Sequence, residues 1–269
     1  MKVQDMRELL APFFVQGRPI VFAQLTALCA LLLIVTFIWS QIDQRTLGGA
    51  AVWVKPIKFS VSFLVHFATL AVIVSAMSPE KAKLRVVEGV AWLMAAVFIA
   101  EMTYLFFQAA QAQHSHFNEK TSFHSVMYSL MGVGAVALVA MPVLIAWHAK
   151  GDIAFGPATQ LGIWWGAIIS CTLTVIVGGY LGSNGSHFIG HQSDPKLVLP
   201  FFGWSTEVGD LRPAHFLSLH ALQFLPLIGL WADRTGKGIV TLWIAGFFYS
   251  ALTVSIFTQA LFGKPLIDI

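Results

Sequence analysis

VVEGVAWLMAAVFIAEMTYLFFQAAQ, residues 86–111, is the stretch from which the rest of the chain can be read. A helix that crosses bilayer hydrocarbon needs roughly 20 predominantly apolar residues, and this stretch exceeds that length. It nevertheless carries Glu101 in its interior, followed at helical spacing by Tyr104, Gln108 and Gln111. It reads as a membrane span with a carboxylate inside it.

Length and hydropathy mark seven such blocks, at about Ile20–Ser40, Ile57–Met77, Val86–Gln111, Ser122–His148, Ala158–Gly182, Pro213–Ala232 and Gly238–Phe262. The fold class this predicts is all-α, an integral membrane bundle of about seven transmembrane helices. Composition agrees. The chain is 57% hydrophobic and 11% charged, whereas a soluble domain carries about 25% charged residues. The net charge of +3 points to no nucleic-acid partner. The expected partner is the lipid bilayer, with a small molecule or a lipid as substrate. Cys29 and Cys171 both fall in apolar blocks and read as packing residues. The first block is long enough to span, so it reads as a retained helix rather than a cleaved signal.

The blocks follow one another closely, so residues 1–269 are expected to form one membrane domain, with no sequence repeat. In residues 1–17, Val3, Met6, Leu10 and Phe13 recur at helical spacing among charged residues. That pattern fits a helix lying on the membrane surface, or a frayed amphipathic tail. The longest connection, 183–212, falls on the outer side and reads either as a lid or as a solvated crossover. Of the 16 Lys and Arg residues, nine fall on the N-terminal side of the spans and seven on the other. The excess places the N-terminus in the cytoplasm, in what we expect to be a bacterial plasma membrane.

Alternation of seven helices puts eight of the nine histidines on one side, the outer one; His148 is the exception. A rise of about 1.5 Å per residue places His66, Glu101 and His220 at similar depths below the outer ends of three helices. Lys58, Ser62 and His66 share one helical face, as do His220 and Gln223. Ionisable residues at such depth normally face the bundle interior and mark a site. A polar cavity open to the outer side is expected, although each hydroxyl and amide alone also suits interhelical hydrogen bonding.

Three chemistries fit these residues. The first is a metal-centred membrane enzyme or redox protein. Glu101 and His220 would hold zinc or iron with His66 or His116 as third ligand, and His215 nearby. Arg212 and Lys58 would bind an anionic substrate group. The second is a b-type haem with His66 and His220 as axial ligands and Lys58 and Arg212 near its propionates. The third is a cofactor-free proton or solute transporter, or a receptor, using Glu101 and the histidines as a relay. In GDLRPAHFLSLHALQ, residues 209–223, capping explains Asp210 and Pro213 but not Arg212, His215 or His220. Lys55–Phe59, KPIKF, reads as a helix start, and Gly178 with Gly182 as a close-packing pair.

Four stretches carry a resemblance. KPIKFSVS (55–62), Glu101 with QAAQAQHSHFN (108–118), GWS (203–205) and GDLRPAHFLSLHALQ (209–223) resemble a group of bacterial multi-pass membrane proteins. The resemblance implies a shared membrane fold and no particular activity. It draws attention to Glu101, His116, Asn118, Asp210, Arg212, His215, His220 and Gln223, and it adds nothing to His66.

Overall fold

The computed structural model describes residues 20–194 and 196–267. The surface helix expected for residues 1–17 lies outside these, as do Lys2, Arg7 and Arg18. The described chain is all-α apart from four two-residue strands. Its helices are α1 (Val21–Ile42), α2 (Val54–Ala76), α3 (Pro79–Ala82), α4 (Arg85–Ala110), α5 (Ser122–Ala149), α6 (Pro157–Ser183), α7 (Arg212–Thr235) and α8 (Gly238–Leu261). All except the four-residue α3 are long and apolar enough to cross a membrane, which makes seven spans. Their outward surfaces are apolar: Phe37 on α1, Leu227 on α7 and Phe247 and Phe248 on α8 are all exposed. Such faces require lipid around them. The chain is an integral membrane protein. The predicted blocks agree with these spans to within three residues at each end. The second helix starts earlier than predicted because Pro56 fits within a first turn, where its missing N–H costs nothing.

The chain divides into two compact units, Met1–Gly156 and Pro157–Ile269. In the first, α1 packs on α2, α4 packs on both, and α5 packs on α4. An aromatic seam of Phe22, Phe63, Phe67 and Phe98 holds α1, α2 and α4 together, with ring centroids 5.0 Å apart for Phe63–Phe98 and Phe67–Phe98. At one end, β1 (Thr46–Leu47) and β2 (Ala50–Ala51) form a hairpin between α1 and α2. Gly48 and Gly49 supply its turn at φ +56° and +82°, a conformation that suits a two-residue hairpin and few residues other than glycine. At the other end, Asp152 accepts from the backbone N–H and the hydroxyl of Ser78. That ties the α5–α6 connection to the start of α3.

In the second unit, α6 and α7 pack with their backbones almost touching. A Cβ on Gly162 would lie 2.5 Å from Leu225 O, and one on Gly166 3.1 Å from Pro226 Cδ. A Cβ on Gly229 would collide with the Ala158 carbonyl. Small residues at such crossings let helices approach where no hydrophobic drive exists within lipid. Polar bonds are added at the same interface: Ser170 Oγ donates to Leu219 O at 3.0 Å, and Thr174 Oγ1 to Ser218 Oγ at 3.1 Å. Asp233 on α7 caps the first turn of α6, accepting from the N–H groups of Ala158 and Thr159 and from the Thr159 hydroxyl. Tyr249 on α8 donates to Leu217 O at 2.6 Å.

Gly229→Val should lower stability by about 1–3 kcal/mol, because the added atoms meet backbone that cannot yield. Gly246→Ala on α8, where a Cβ meets open space, should be neutral or gain up to about 1 kcal/mol. Thermal unfolding of both variants in detergent provides the comparison.

Candidate functional site

Glu101 sits on α4 about 13 Å from the helix end at Ala110. Its carboxylate points across the α4–α5 interface to Gly134, in the space a Cβ there would occupy, beside Val97. Among the described residues it makes no hydrogen bond and no ion pair. Phe98, three residues earlier, turns to α2, so α4 separates its apolar contact with α2 from its carboxylate contact with α5.

The face of α4 above Glu101 stays polar. Tyr104 is buried at 6% exposure and packs with Leu105 and Met131. Its hydroxyl is buried without a hydrogen-bond partner among the described residues, and so is Ser60 Oγ on α2. Phe59, beside Ser60, packs on the Tyr104 cluster. One turn further, Gln108 is 1% exposed and donates to His114 O at 3.1 Å. The stripe Glu101, Tyr104, Gln108 expected from spacing is therefore real, and it runs from within the span to the α4–α5 loop.

That loop is built around SHFN, residues 115–118. Asn118 Nδ2 donates to His114 O at 2.9 Å, so the same carbonyl takes both amides. Ala112 and Phe117 adopt positive φ, 53° and 56°, which for residues other than glycine costs about 1–3 kcal/mol. The Phe117 ring meets Tyr128 at 5.5 Å. His116 Nδ1 lies 3.0 Å from Lys55 Nζ and 3.1 Å from Ser115 Oγ. With Lys55 donating as an ammonium, His116 Nδ1 is the acceptor. His114 is held below its ordinary value by burial, then by the charges of Lys55 and Lys120. The loop is tied down on its far side by Asp43, which accepts from Trp39 and Arg45. Arg45 in turn donates to Ala110 O, an unpaired carbonyl at the end of α4. Bonds from Arg45, then Trp39, hold Asp43 well below the usual carboxylate range.

In the second unit the connection between α6 and α7 is a folded element. β3 (Phe188–Ile189) pairs with β4 (Gly209–Asp210), and Val198 pairs with Ser205. Arg212 forms a two-point ion pair with Asp210, the shorter contact being 2.6 Å, and donates to Gly203 O at 2.6 Å. It also lies over the Phe188 ring at 5.1 Å. Sequence reading offered Arg212 for an anionic substrate group; the structure gives its guanidinium to the loop itself. Glu207 accepts from Ser193, whose hydroxyl bond holds its carboxyl below the ordinary value. Phe202 and Trp204 stack at 4.4 Å and rest on Phe216, whose ring lies 4.2 Å from His220. The loop thus reaches down beside α7 as far as Phe216, in its second turn. His220 Nδ1 pairs with Gln223 Oε1 at 3.1 Å. His215 faces Gly178 of α6, and its buried Nδ1 has no hydrogen-bond partner among the described residues.

The described residues do not support the expected metal centre with a gathered ligand set. Among the described residues, no three His, Cys, Asp or Glu side chains are gathered as a ligand set for a metal ion. The physical reason is local engagement. His116 is held by Lys55 and Ser115, His124 by Thr121 and Gln113, and His220 by Gln223. His66 and Glu101 belong to the first unit, and His215 and His220 to the second. His66 meets the Phe67 ring at 5.5 Å, and Lys58 is exposed near the start of α2. The sequence marks Lys55 only as part of a helix start, and it does not mark Asp152 or Asp233. Their partners are distant in the chain, and no local pattern marks them.

No family model, curated protein or solved structure matches the chain. What the site does must therefore be read from its geometry.

Arg212→Gln should cost about 3 kcal/mol, because it strands the buried Asp210 carboxylate. Limited proteolysis should then cut between residues 193 and 204, where the wild type resists. His114 supplies a pH test. Its folded value lies below the ordinary 6.5, so it favours folding above that pH, and the contribution is lost as pH falls through the folded value. Thermal unfolding between pH 7 and pH 5 should fall less steeply in His114→Asn than in the wild type.

Proposed function

We propose that the protein is a cofactor-free, proton-conducting or proton-coupled membrane protein in which Glu101 takes up and releases the proton. The observation that carries this is the Glu101 carboxylate, set within a span, facing the notch at Gly134 and without a partner among the described residues. A charge at the centre of a bilayer costs a few kcal/mol or more, so a carboxylate there without a structural bond serves something other than stability. Gly134 supports the reading, because any side chain there would occupy the carboxylate's place.

The buried hydroxyls of Tyr104 and Ser60 add to it. Native structures satisfy most buried polar groups, and those left over call for water or an ion. Tyr104 follows Glu101 on the same face, and Gln108 continues that face to the loop. Water between these groups would complete a relay from the loop end of the first unit to Glu101. Of the candidate metal ligands, His116 and His220 already have neighbours as partners, whereas Glu101 has none among the described residues.

The test uses the purified full-length protein in liposomes that hold a pH-sensitive dye, driven by a potassium diffusion potential. Wild type should acidify or alkalinise the lumen. Glu101→Gln should abolish the flux, Glu101→Asp should retain part of it, and Tyr104→Phe should slow it. A Glu101→Gln protein that carries protons at the wild-type rate would overturn the proposal.

A further inference from the structure

We propose that Lys55, His116 and Ser115 form a binding site for one anionic oxygen group, a free oxyanion or the phosphate of an anionic lipid. The site goes beyond the proton pathway and does not depend on it. Lys55 lies in the first turn of α2, where the helix dipole is positive and a cation is disfavoured. That turn holds no acidic residue, and no side chain caps it. The Lys55 ammonium offers three donors. Among the described residues its hydrogen-bond partner is His116 Nδ1 at 3.0 Å, and the Phe59 ring lies 5.7 Å away. Neither supplies negative charge.

Other charges at this end do not fill the gap. Asp43 is bound to Arg45, and Glu119 is exposed with no bond to Lys55. Lys120 adds positive charge, and both it and Lys55 act on His114. Ser115 is 3% exposed, with its hydroxyl on the same His116 nitrogen. An oxyanion beside Lys55 would take the two remaining ammonium protons and the Ser115 hydroxyl. It would also lie favourably against the N-terminus of α2. The positive φ at Ala112 and Phe117 holds the loop that presents Ser115 and His116.

Equilibrium dialysis of the full-length protein in non-ionic detergent, with radiolabelled inorganic phosphate against a chloride background, tests the free-anion arm. Thermal unfolding in phosphatidylcholine vesicles with and without phosphatidylglycerol tests the headgroup arm. The wild type should respond to at least one probe. Lys55→Gln should weaken that response by at least about tenfold, His116→Gln should weaken it less, and Lys55→Arg should keep it. Lys83→Gln, an exposed lysine at the opposite end of the first unit, controls for net charge and should bind as wild type. If Lys55→Gln does not fold, His116→Gln against Lys83→Gln gives the same contrast. Equal responses from wild type and both site variants, or no response to either probe, would overturn the proposal. Glu101→Gln should bind as wild type, so a failure here leaves the proton pathway standing.

Discussion

Hydrocarbon offers a polar group no partner, so every donor, acceptor and charge within a span must be satisfied by the protein itself. In both units that demand is met group by group. Serine and threonine hydroxyls return to carbonyls one turn back, as Thr26, Thr69 and Thr253 do. Ser170 and Tyr249 reach across to neighbouring helices. Against so complete an accounting, the few groups left over stand apart. The buried hydroxyls of Ser60 and Tyr104 are such groups in the first unit, and His215 Nδ1 is one in the second; the partly buried Glu101 carboxylate also makes no bond among the described residues.

The charged residues divide the same way. Asp152 and Asp233 each hold the start of a helix, Asp43 and Arg45 hold the turn after α1, and Asp210 and Arg212 hold the connection before α7. Each of these bonds holds a local piece of the fold. Glu101, which has no partner among the described residues, and Lys55, which has no acidic one, remain. They sit in the same unit, one inside a span and one near its mouth, with Tyr104, Phe59 and Gln108 in the packed layer between helix and loop.

The spans are legible in the sequence because apolar length alone specifies them, and Glu101 because a carboxylate interrupts such a run. The stripe through Tyr104 and Gln108 is legible from helical spacing. Lys55 with His116 is not, since 61 residues separate them and nothing local signals the contact. The role of Arg212 is only half legible. Asp210 stands two residues away, but the bond to Gly203 O depends on how the loop folds. A metal centre is not legible from depth, because depth fixes height along a helix and leaves the facing surface open. GIWWG, residues 162–166, does carry a small-residue spacing of the kind noted at Gly178 and Gly182, and it marks the tighter contact.

The proton pathway rests on water reaching Glu101 and on its carboxyl group exchanging protons. Infrared difference spectroscopy on the reconstituted protein, titrated across pH and repeated in heavy water, observes that group directly. The account predicts a carboxyl C=O band that appears and disappears reversibly with pH, shifts on deuteration, and is missing from Glu101→Gln. A band from Glu101 that holds constant across the whole pH range and does not shift in heavy water would contradict it.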